Sequence, residues 1–145
     1  MKKKINHDMA IVLSSFLMIP AILLYGLYLQ INGEDSPGGG FQAGVVFAVV
    51  YILYVSLFDY KTASKIVPTN FFLNGLSLGV LLYLGTGCAS MLMGGNFLEY
   101  AVFSNNFAKA QYIGVFLIEL GVGLTVFCAM VIFYISFILY DGRNR

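Results

Sequence analysis

The chain has 145 residues, of which 59% are apolar and only 10% charged, with a mean hydropathy of +0.85. A soluble domain carries roughly a quarter charged residues, so this composition argues against a water-soluble enzyme, a disordered chain and a disulfide-stapled module. Eight Lys and Arg against seven Asp and Glu leave a net charge of +1, too little to attract a polyanion, and nucleic acid is not expected as a partner. The composition predicts an all-α integral membrane protein.

Four apolar stretches approach the roughly 20 residues needed to cross the hydrocarbon of a bilayer: about 10–31, 41–58, 71–93 and 112–140, forming a single membrane domain over 1–145. Lys2, Lys3 and Lys4 before the first stretch imitate the basic start of a signal peptide. A signal core is shorter, however, and ends in a small-residue cleavage site. This stretch contains Pro20 and ends Gln30-Ile31-Asn32, which predicts a retained span. His7 has only Asp8 beside it as a ligand type, so no metal site is expected there.

The first loop reads Asn-Gly-Glu-Asp-Ser-Pro-Gly-Gly-Gly over 32–40. Ser36 suits an N-cap and Pro37 a first helical position. Gly38, Gly39 and Gly40 at the mouth of a membrane helix admit two readings: a tight turn with close packing, or bare N–H groups that an ion, water or another backbone can approach. A phosphate loop is disfavoured, because no Lys-Ser or Lys-Thr follows and Glu34 and Asp35 precede the run. Beyond it, Gly40, Gly44 and Ala48 recur every four residues, and Gly75 and Gly79 repeat the device in the third stretch. Such small-residue faces let helices associate closely in lipid. Asn74, Ser77 and Thr86 offer hydrogen bonds between helices, and Gly85 with Gly87 are expected to loosen the third span.

The segment 94–111 is half apolar and is expected to form an interfacial helix or a re-entrant piece rather than an exposed coil. In the fourth stretch Glu119 is the one acid well inside a span, about 10 Å past Tyr112 at 1.5 Å per residue. Gly121 and Gly123 follow it closely. A carboxyl in a membrane helix is costly, so it is typically paired, in a cavity or on an ion path. Glu119 therefore reads as a way-station for protons or cations, or as a structural acid, with Lys109 in reach only if its segment folds back. Cys88 and Cys128 read as small buried hydrophobes. No Ser-His-Asp, Cys-His or paired-carboxylate set occurs; neither catalysis nor a cofactor is expected.

Basic residues favour cytoplasmic loops. The tails and the loop between spans two and three hold Lys2, Lys3, Lys4, Lys61, Lys65, Arg143 and Arg145, against Lys109 alone elsewhere. Both termini are accordingly expected to be cytoplasmic, which demands an even number of spans.

Pro37-Gly38-Gly39-Gly40-Phe41, followed by Gln42-Ala43-Gly44, resembles the signature of the MrpB/MnhB family, which are small subunits of multisubunit (Mrp-type, also called Mnh) sodium/proton antiporters. The likeness extends to Asp59-Tyr60-Lys61-Thr62, to Lys65-Ile66-Val67-Pro68 and to Glu119-Leu120-Gly121-Val122. Many relatives carry Gly-His where this chain has Gly33-Glu34.

The resemblance implies a small subunit of a hetero-oligomeric complex in the bacterial cytoplasmic membrane that exchanges sodium or another monovalent cation for protons. Its partners would be the other subunits, its role assembly and a share in the cation path. A purely structural subunit, or a subunit of an ion-translocating membrane hydrogenase, are the alternatives.

Overall fold

The computed structural model describes residues 9–33 and 38–143, with side chains over 12–33 and 38–141. Five α-helices and one 3₁₀ turn make up the described residues: α1 (Met9–Ile31), α2 (Gly40–Phe58), α3 (Tyr60–Ile66), α4 (Thr69–Leu92), the 3₁₀ turn Tyr100–Phe103, and α5 (Phe107–Arg143). All but α3 and the 3₁₀ turn are long and apolar enough to cross a membrane. The chain is thus a multi-pass, all-helical membrane protein.

The long helices are apolar on all sides rather than along one face. Hydrophobicity therefore cannot select which side of each helix faces its neighbours, and small residues do so instead. The centre of the bundle is α5, packed mainly against α4 and α2, while α1 leans chiefly on α2. A Cβ at Gly79 of α4 would stand 2.7 Å from the Gly121 carbonyl oxygen and 2.8 Å from the Thr125 nitrogen of α5. The two backbones touch there, and only glycine permits it. Towards the α3 end, Ala48, Tyr51 and Val55 of α2 join Ala63, Phe72, Cys128, Val131 and Ile135 in the main apolar core. Tyr51 meets Phe72 edge-on at 4.7 Å between ring centroids.

Some local expectations change. Helix α2 begins at Gly40 with Gly39 as its N-cap, three residues beyond the start that Pro37 suggests. Gly85 and Gly87 lie inside an unbroken α4, and Phe97 packs over Gly87. Ser77 and Thr86 turn back on their own helix, donating to the carbonyls of Leu73 (3.1 Å) and Leu82 (2.7 Å). Hydroxyls in helices commonly do this. Cys128 is buried, whereas Cys88 is exposed on the bundle surface.

The segment between α4 and α5 is organised around Ser90, which is wholly buried. Its hydroxyl lies 2.8 Å from the Gly87 carbonyl and 3.0 Å from the Asn96 carbonyl, and it accepts the Leu98 N–H at 3.0 Å. Tyr100 then covers Gly114 of α5. Where the sequence suggests an interfacial helix or a re-entrant piece, the chain forms a turn and one 3₁₀ turn, and α5 starts at Phe107.

Candidate functional site

Gly39 adopts φ 155° and ψ −174°, a region open almost only to glycine, and so turns the chain into α2. Gly40, the first helical residue, is buried against the backbone of Glu119: a Cβ there would overlap the Glu119 carbonyl oxygen and lie 2.6 Å from its carbonyl carbon. The Glu119 side chain tilts toward the start of α5, as helical side chains do. Its carboxyl thereby reaches the α1–α2 connection. A Cβ at Gly33 would collide with both carboxylate oxygens, and one at Gly39 would stand 3.0 Å from Oε1. The glycine run and the acid, 79 residues apart for Gly40 and Glu119, form one site.

This position has an electrostatic consequence. The first N–H groups of a helix lack intrahelical partners and its N-terminus carries partial positive charge. The α2 N-cap supplies no side-chain acceptor, and among the described residues the Glu119 carboxyl is a negative group near that end. The site is also recessed. Glu119 lies twelve residues into α5, so that helix continues about 18 Å outward past the glycine mouth at 1.5 Å per residue. Gly121, about 3 Å deeper than Glu119, faces Leu82 and Tyr83 of α4, so α4 rises about 11 Å beyond the level of Glu119 to Leu92. The mouth opens at the flank of a taller α4–α5 hairpin.

The remaining predicted residues divide clearly. Gly44 lies against the Gly123 carbonyl (2.5 Å from a notional Cβ), and Gly123 in turn against Gln30 and Gly40. Gly38 is half-buried beside the mouth, while Phe41 is 62% exposed and points away from the bundle. Ala48, Gly75, Gly79 and Gly121 serve packing deeper along α5 and do not touch the carboxyl. Glu34, Asp35, Ser36 and Pro37, like His7 and Asp8, lie outside the described residues. Lys109 sits ten residues before Glu119 on the same unbroken helix, about 15 Å along its axis, and does not fold back.

At the opposite end, Asp59 (φ 73°) caps α3 by accepting the Tyr60 N–H at 2.9 Å, and Pro68 is the N-cap of α4. Lys61 and Lys65 are exposed on α3. This motif forms the α2–α3–α4 corner and is separate from the Glu119 site. Among the described residues no three His, Cys, Asp or Glu side chains are grouped to hold a metal.

Two participants escape a reading of the sequence. Gly33 is one, since nothing local distinguishes it from an ordinary loop glycine. Gln30 is the other: as the last polar residue of an apolar run it reads as a span end, yet it lies over Gly123, one turn beyond Glu119.

Comparison with known proteins shows the family. Residues 10–132 match the family described as "Domain related to MnhB subunit of Na+/H+ antiporter". A Bacillus subtilis protein named as a subunit of a Na(+)/H(+) antiporter is 28% identical over 136 residues, covering 87% of this chain and 94% of the relative. The protein of the same name from Alkalihalophilus pseudofirmus is 28% identical over 115 residues, covering 72% and 79% respectively. With most of its length matched, and with the glycine mouth and Glu119 inside the matched region, the chain belongs to the MnhB family.

Proposed function

We propose that this chain is a small membrane subunit of a multisubunit monovalent cation (sodium)/proton antiporter in the bacterial cytoplasmic membrane, with both termini cytoplasmic. It contributes to assembly through its smooth helix faces, and Glu119 stands on the ion path. The observation that carries the second role is the placing of the Glu119 carboxyl against Gly33 and Gly39, at the N-terminus of α2. Glycines let the α1–α2 connection approach that carboxyl closely, and the helix end tolerates its charge. A carboxyl so placed can alternate between a charged form, facing a cation or the helix end, and a neutral protonated one. Family membership supports the reading, because two relatives are named as antiporter subunits.

A structural role for Glu119 has support in the same contacts, since the carboxyl also fills the space beside the α1–α2 connection. Substitution separates the two roles. In everted vesicles carrying the whole complex, Glu119→Gln keeps the shape but removes the titratable group, and Glu119→Ala removes both. The ion-path reading expects assembled complexes with exchange lowered at least tenfold in both variants. Full exchange by an assembled Glu119→Gln complex overturns it.

A further inference from the structure

A groove runs along the outside of the bundle between α1 and α2 and ends at α3. Ile19 and Leu23 of α1 form one wall, Phe47 and Tyr54 of α2 the other, and Ala63 and Ile66 of α3 its end. Its volume is about 410 Å³, it is open to the surface of the bundle, and no polar atom is exposed on its walls. At the inner end Phe47 lies against Gly26 of α1, where a Cβ would stand 2.8 Å from the ring. Phe47 is eleven residues from Phe58, the end of α2, or about 16 Å along the axis. One leaflet supplies about 15 Å of a 30 Å hydrocarbon core. The groove therefore begins near the end of a span and reaches inward through about one leaflet. Water finds no polar partner there, and an acyl chain needs none.

Charge at the α3 end selects among lipids. Ile66 lines the groove yet is 65% exposed, so α3 borders the groove without closing it. Lys65 stands about 100° round the helix from Ile66, and Lys61 lies one turn before Lys65; both are exposed. Asp59 nearby is engaged in capping α3. Lysine stems lie along apolar surface while the ammonium reaches the headgroup level, and each lysine near an anionic surface favours it about fivefold. We propose that this groove seats one acyl chain of an anionic phospholipid, with its phosphate beside Lys65 and Lys61 at the α3 corner. The seated chain also fastens α1, which leans chiefly on α2 and little on α5. This lipid site is independent of the role of Glu119.

The test uses the assembled complex in phosphatidylcholine vesicles doped with either of two probes at equal mole fraction: a phosphatidylglycerol or a phosphatidylcholine with a diazirine in one acyl chain. After illumination, adducts are mapped by peptide mass spectrometry. The phosphatidylglycerol probe should label segments 19–23 and 47–54 at least fivefold more than the phosphatidylcholine probe. The outer face of α1 at Leu13 and Leu17, 72% and 73% exposed, should take up both alike. Lys61→Gln combined with Lys65→Gln should abolish the preference. Val50→Trp, which fills the α2 wall, should remove groove adducts of both probes and leave those at Leu13 and Leu17. If Val50→Trp does not assemble, the lysine variant decides alone. Equal labelling of the groove by the two probes overturns the inference, as does groove labelling no stronger than that of the Leu13–Leu17 face. A groove that stays unlabelled, with p-benzoylphenylalanine at Leu23 crosslinking to another subunit, shows a protein segment in place of lipid and also overturns it. Full exchange by Glu119→Gln would defeat the ion-path reading and leave these outcomes unchanged.

Discussion

Replacing Gly40 with alanine tests the backbone contact between α2 and α5. The three atoms nearest to the added methyl all belong to the Glu119 backbone: the carbonyl oxygen in outright overlap, the carbonyl carbon at 2.6 Å and Cα at 2.9 Å. No side-chain rotation relieves this. Ordinary carbon contacts begin near 3.4 Å, so the carbonyl carbon alone requires the first turn of α2 to withdraw from α5 by about 0.8 Å, and the overlapped oxygen requires more. Forcing a methyl into a packed interface typically costs about 1–3 kcal/mol, which lowers the folded-to-unfolded ratio about 5- to 150-fold. The same withdrawal carries Gly39 away from the Glu119 carboxyl. The assay heats membranes bearing the complex and reads, on native gels, the fraction of tagged subunit still assembled. Gly40→Ala should release the subunit at lower temperature and weaken exchange. Gly85→Ala, where nothing lies within 4 Å, is the control and should match or exceed the unmodified chain, given alanine's higher helix propensity. A Gly40→Ala complex with unchanged thermal retention and exchange refutes the backbone contact between α2 and α5.

Further outcomes follow from the packing elsewhere. At Gly75 the obstacle is a side chain, Cys128 Sγ at 2.6 Å from the notional Cβ. Gly75→Ala should therefore destabilise alone but be relieved by Cys128→Ala, with a favourable coupling of about 0.5–3 kcal/mol in a double-mutant cycle of thermal retention; strict additivity would contradict the contact. Ser90→Ala leaves the Leu98 N–H without its acceptor and should cost about 1–3 kcal/mol, read as faster amide exchange and easier proteolytic nicking between α4 and α5. Unchanged protection at Leu98 would show that another group accepts the bond. In detergent, N-ethylmaleimide should modify exposed Cys88 and spare buried Cys128, so that Cys88→Ser abolishes labelling.

Whatever depends on local composition could be read along the chain. Long apolar runs must form helices in lipid, since the backbone has no other partner there, and α1, α2 and α4 begin or end within a few residues of where those runs do. The small-residue faces and the lone inner acid stand out because glycine and glutamate are conspicuous in such surroundings. Contacts between distant segments could not be read in this way. Glycine spacing marks a smooth face without naming the helix that occupies it, so the pairing of Gly40 and Gly44 with α5, and of Gly79 with Gly121, was decided by the fold. The heights of the helices were decided there too: residue counts put Glu119 inside a span, and only the stagger of α4 and α5 against α1 and α2 brings its carboxyl level with Gly33 and Gly39. The physical reason is that side-chain packing selects both register and neighbour among helices that are apolar all round, and packing is a property of pairs of segments that no single segment carries.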